Sequence, residues 1–130
     1  MRIGLIRRLC RVLTWCCVII LGVLSLLPAA EMVRTDLPGG VEHFIAYAGS
    51  AAIAMVGYGW TRGGTPIIGF FCAYAGILEY LQHFSPGRHP AIADFVVSAL
   101  GVLCGGLAIV LLRARYPTLL PRDGPPAHRR

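Results

Sequence analysis

Charge is what this sequence has least of. Of its 130 residues only 14% are charged and six are acidic, about half the share that a soluble domain carries. Lysine is absent: all twelve positive residues are arginine. Signatures of chemistry are equally scarce. There is no phosphate-binding loop, no GxSxG elbow and no dinucleotide fingerprint. No HxxxH or CxxC pair offers the tight spacing that marks a zinc site, so no metal is expected. Nor is a cofactor expected. The five cysteines are odd in number and sit mostly inside apolar runs, which argues against a disulfide-stapled module.

Apolar residues, by contrast, make up 56% of the chain, and mean hydropathy is +0.68. That composition excludes disorder, and the length allows one domain. An integral membrane protein remains. A net charge of +6 could suit nucleic acid. The arginines, however, lie just outside long apolar segments, where membrane orientation requires them, so no nucleic-acid partner is expected.

Four charge-free runs stand out: Val12 to Ala30, Phe44 to Thr61, Gly63 to Leu78 and Phe95 to Leu112. A helix needs about 20 residues, within a range of roughly 17–25, to cross the hydrocarbon, where backbone groups find no water. The expected architecture is an all-α membrane protein. It is a bundle of four short spans over about 12–30, 43–61, 65–83 and 93–112. The domain covers residues 1–115, and a Pro- and Arg-rich disordered tail covers 116–130. In outline the basic start, the first run and Pro28-Ala29-Ala30 resemble a signal peptide. The run is longer than usual and Pro28 suits a cleavage site poorly, so the segment is read as a retained span.

With the N-terminus inside, ten arginines fall on the inner side and only Arg34 and Arg88 on the outer. Both termini are therefore expected to be cytoplasmic. Acids and histidines gather at the opposite end: Glu31, Asp36, Glu42, Glu79 and Asp94 with His43, His83 and His89. Glu79, Gln82 and His83 share one helix face, as do His43 with Tyr47 and Asp94 with Ser98. Ser85-Pro86-Gly87-Arg88 suits a type II turn that presents Arg88 to the helix ends. Ionisable groups at membrane depth are costly and mark functional candidates. Each also has a structural reading: Glu79 paired with Arg88, and Asp94 as a first-turn acid favoured by the positive end of its helix. The small-residue steps Gly101–Gly105, Gly69–Ala73 and Ala48–Ala52 suit close helix packing within the chain. Self-association through the Gly101 and Gly105 face is the alternative.

Taken in order, Ser25-Leu26-Leu27-Pro28, His43-Phe44 with Tyr47, Glu79-x-x-Gln82, Pro86-Gly87-Arg88, Asp94 and Gly101 resemble the VanZ-like family of small bacterial membrane proteins. The resemblance runs from about Leu24 to Gly105. Two departures are visible: Gly39-Gly40 stands where members often carry Asp-Lys, and Ser98 where many carry Asn. The family is named for a member linked to low-level teicoplanin resistance. The resemblance implies a multi-pass protein of the bacterial cytoplasmic membrane with a cell-envelope role. It points to His43, Tyr47, Glu79, Gln82, Arg88 and Asp94 as ligand-binding residues. Membrane lipids, a lipid-linked envelope precursor or the glycopeptide itself are the implied partners. An envelope-lipid enzyme using Glu79 as base, and a structural subunit of a membrane complex, are the alternatives.

Overall fold

In the computed structural model the described residues are 2–32 and 36–117. Arg34 and nearly all of the expected tail thus lie outside them. Four helices run in order: α1 (Arg2–Leu26), α2 (Gly39–Tyr58), α3 (Trp60–Leu81) and α4 (Ile92–Arg115). Single 3-10 turns follow α1 at Ala29–Glu31 and α3 at Gln82–Phe84. No strand occurs among the described residues.

Among the described residues, three helices are long and apolar enough to cross a membrane: Gly4–Leu26, Gly64–Phe84 and Ile92–Arg115. The expected second span is a helix too, α2, but it is not one of these three. α2 packs against all three other helices, most extensively against α4. A helix enclosed by helices needs small residues for close approach more than it needs large apolar ones for lipid. Its buried positions are accordingly Tyr47, Ser50, Ala51, Ala54, Met55 and Gly57. α1 is the opposite case, with Leu5, Leu9, Val12, Leu13, Ile19, Ile20, Val23 and Leu24 all exposed.

The helix limits differ from the charge-free runs for local reasons. α1 begins ten residues before Val12, carrying Arg7, Arg8 and Arg11 on its first turns. Charges end an apolar run without ending a helix. It stops at Leu26 because Pro28 disfavours the helical conformation at the residue before it. α2 and α3 are joined by Gly59 alone, at φ 89 and ψ 158, a region that only glycine enters readily. The helices alternate in direction. Arg11 near the start of α1 meets Gly57 at the end of α2, whereas Gln82 just after α3 meets Ser25 near the end of α1.

The core joins Tyr47, Ala51 and Ala54 of α2 to Phe71 and Ala75 of α3 and Val102 of α4. Gly101 and Gly105 let α4 lie on α2. A Cβ at Gly101 would run into the carbonyl oxygen of Phe44, and one at Gly105 into that of Ala48. The small-residue face of α4 is thus filled from within the chain, and self-association through it would have to displace α2. Gly69 and Ala73, by contrast, face outward.

Arginine closes the end of the bundle where α2 meets α3. The last carbonyls of a helix lack partners within it and carry its negative end. Arg11 Nε donates to Gly57 O at 3.0 Å, and Arg113 Nη2 to Met55 O at 3.2 Å.

Candidate functional site

The opposite end is built around the final turn of α1. The segment Ser85-Pro86-Gly87-Arg88 folds as a turn, with Arg88 N–H donating to Ser85 O at 3.1 Å and Gly87 at φ 73. Positive φ at the residue after proline is what a type II turn requires. The turn lies against α1 and satisfies its orphan carbonyls. Arg88 Nη2 donates to Leu24 O at 2.7 Å and to Ser25 O at 3.0 Å, and Nε donates to Leu27 O at 3.2 Å. The Ser85 hydroxyl donates to Leu26 O, and Ala29 N–H donates back to Pro86 O at 3.1 Å. One short loop thus caps four consecutive carbonyls.

Glu79 does not pair with Arg88. Its Oε1 accepts from Ala91 N–H at 2.7 Å, at the first turn of α4. Each charge has gone to the helix end of opposite sign: the carboxylate to a positive N-terminus, the guanidinium to a negative C-terminus. Side-chain caps are absent at the N-cap position of α4, which is Ala91, so Glu79 supplies from α3 what the local sequence lacks.

The six sequence candidates therefore separate. A cavity of about 290 Å³ between α1 and α2 brings together His43, Tyr47 and Arg88 and adds Glu42 and Ser25. Leu21, Leu24 and Ala46 supply apolar wall. Gln82 is buried beside it, donating from Nε2 to Ser25 Oγ at 3.2 Å. Glu79 lines a different groove, between α3 and the start of α4, with Tyr80, His83 and Phe95. Asp94 occupies the first turn of α4 and lines neither space. It is linked only indirectly: Ser98 Oγ donates to Asp94 O at 2.7 Å and lies 3.5 Å from His43 Nδ1.

Among the described residues, no three of His, Cys, Asp and Glu stand close enough to hold a metal ion. His83 turns back on its own helix, with Nδ1 2.9 Å from Tyr80 O, and His89 is exposed. Glu42 and Ser25 were not among the candidates. A signal for Glu42 existed, since it adjoins His43 and lies one turn before Ala46 on the cavity face. Ser25 gave none beyond its place in the Ser-Leu-Leu-Pro run.

The cavity wall is largely apolar, with Arg88, His43 and Glu42 as its polar part. Its guanidinium is held by three carbonyl oxygens that leave its charge unneutralised, and its Nη1 amine donates to no described residue. Comparison with family models, curated proteins and solved structures returned no match.

Proposed function

We propose that this chain binds an amphiphile with an anionic headgroup, from the outer leaflet of a bacterial cytoplasmic membrane, in the cavity between α1 and α2. On this reading the chain is VanZ-like and multi-pass, and has a cell-envelope role. The observation that carries it is the fixed guanidinium of Arg88 at a cavity whose remaining wall is largely apolar. A guanidinium is a forked donor suited to phosphate or carboxylate. Pinning it to carbonyls removes the side-chain entropy that binding would otherwise cost. His43 and Glu42 are the groups within reach of a headgroup, Tyr47 lines the wall beside them, and Leu21, Leu24 and Ala46 suit its alkyl part. The ligand is a phospholipid headgroup or a lipid-linked wall precursor, and Glu79, Gln82 and Asp94 act as structural ties around the site.

All four helices cross the membrane in this proposal, with both termini cytoplasmic. The 20 residues of α2 make a helix of about 30 Å, the thickness of the hydrocarbon. A one-residue link at Gly59 sets the end of α2 and the start of α3 at a common level. The arginine excess at the end holding Gly59 sets the orientation.

Teicoplanin and vancomycin susceptibility tests this in a Gram-positive host expressing wild type, His43→Ala or Arg88→Lys at matched membrane levels. Wild-type protein is expected to raise teicoplanin tolerance, and His43→Ala to abolish it while remaining folded. An unchanged phenotype in His43→Ala would remove the cavity as the active site. No wild-type effect would remove the resistance role.

A further inference from the structure

A second cavity, of about 260 Å³, lies toward the other end of the bundle. Its wall is Thr14 and Val18 of α1, Ala54 of α2, and Pro66, Phe70 and Phe71 of α3. The Thr14 hydroxyl donates to Cys10 O at 2.7 Å, so it is already satisfied within its own helix. The cavity lies between α1 and α3, which pack on each other far less than either packs on α2, and exposed Trp15 and Phe70 stand at its edge.

What sets this groove apart from an ordinary seam is its rim. Trp15 Nε1 donates to Tyr58 Oη at 2.9 Å, bridging α1 to α2. The Arg11 guanidinium lies 5.2 Å from the Tyr58 ring centroid. Its Nε is taken by Gly57 O, and its terminal amines donate to no described residue. Arg8, Arg11, Trp15 and Val18 follow i, i+3, i+7, i+10 spacing, one stripe along α1. Both arginines are exposed. From Arg11 to Val18 is about 10 Å at the helical rise of 1.5 Å per residue. The stripe thus passes from guanidinium through an amphipathic aromatic to apolar wall, as a phospholipid passes from phosphate through glycerol to acyl chain.

We propose that this groove seats one acyl chain of an anionic glycerophospholipid, with its phosphate at Arg8 and Arg11, in the leaflet that meets the start of α1. The inference rests on the membrane-spanning character of α1 and α3 and is independent of the ligand at the opposite end. Charge complementarity selects the occupant: a zwitterionic lipid offers the same chain but carries a cation beside its phosphate. Each arginine near an anionic surface contributes about 1 kcal/mol.

The chain has two tryptophans, so Trp60→Phe leaves Trp15 as the sole reporter at the rim. This protein, reconstituted in phosphatidylcholine vesicles, is titrated with a minor fraction of chain-brominated phosphatidylglycerol or chain-brominated phosphatidylcholine. Phosphatidylglycerol is expected to quench Trp15 at about thirtyfold lower mole fraction. Arg8→Gln, which leaves the Arg11–Gly57 bond in place, should reduce the preference to about fivefold. Adding Arg11→Gln should bring it to parity. Val18→Phe, which fills the groove, should remove the excess quenching by phosphatidylglycerol, with thermal unfolding confirming a folded bundle. Equal quenching by the two lipids in the parent protein overturns the proposal. So does a preference that survives the double arginine change, or one that survives Val18→Phe.

Discussion

The two ends of this bundle use the same physics and reach different results. At one end Arg11 and Arg113, both on helices, reach the last carbonyls of α2, and Gly59 alone joins α2 to α3. At the other, Arg88 reaches the last carbonyls of α1, but it comes from a loop, and the helices beneath that loop stand apart enough to enclose about 290 Å³. Both ends place cations on negative helix termini. The first is closed by helices meeting directly, and the cavity nearest to it, between α1 and α3, is almost wholly apolar-walled. The second is closed by a turn resting on α1, which leaves His43, Tyr47 and Glu42 around a space that the turn does not fill. A cap supplied by a helix seals a bundle, whereas a cap supplied by a loop can roof a site.

The sharpest break of that comparison is Arg88→Ala. It strips three carbonyls of their donor, and hydrogen bonds to a charged group are worth about 1.5–3 kcal/mol each. With water reaching part of this end, a loss of about 3–5 kcal/mol is expected, read as a large fall in unfolding temperature in detergent and in membrane yield. Arg88→Lys should recover part of it. Next comes Gly59→Ala at the sealed end. Its φ of 89 with ψ of 158 costs a non-glycine residue about 1–3 kcal/mol, and the unfolding temperature should fall accordingly. Arg11→Ala should cost less, about 1 kcal/mol, since one carbonyl loses one donor and Arg113 still serves the same turn. An Arg11 loss equal to that of Arg88 would erase the distinction between the ends. The smallest stability effect belongs to His43→Ala, about 0.5 kcal/mol or less, because its only polar contact among the described residues is the long one to Ser98. Unfolding in detergent checks it, and a loss as large as that of Arg88 would make His43 another tie and remove it from the site.

Glu79 and Arg88 show where sequence reasoning reached its limit. They are neighbours in the chain and opposite in sign, so a pair is the natural expectation. Which unpartnered groups lie nearby depends on where other helices end, and that is a three-dimensional fact. Glu79 therefore accepts from Ala91, and Arg88 donates to α1. Gln82 was legible as a helix-face neighbour of Glu79, yet it turns to Ser25, 57 residues away in sequence. The Pro86-Gly87 turn, by contrast, was fully legible, since its geometry depends on those residues alone. Gly101 and Gly105 were legible as a packing face, while the helix they receive was not.

The sequence by itself determined four helices, because long apolar runs that do not alternate suit a backbone whose hydrogen bonds close within each segment. It also determined that chemistry-bearing side chains collect at the ends of those helices, since charge is excluded from between them. Tertiary structure alone decided that α2 is the enclosed helix, that three of twelve arginines serve as helix caps, and that His43, Tyr47 and Arg88 share a cavity while Glu79 and Asp94 do not. The reason is one of range. Apolar period and turn chemistry act between near neighbours, whereas an orphan carbonyl accepts from whichever donor the packing brings within 3 Å or so.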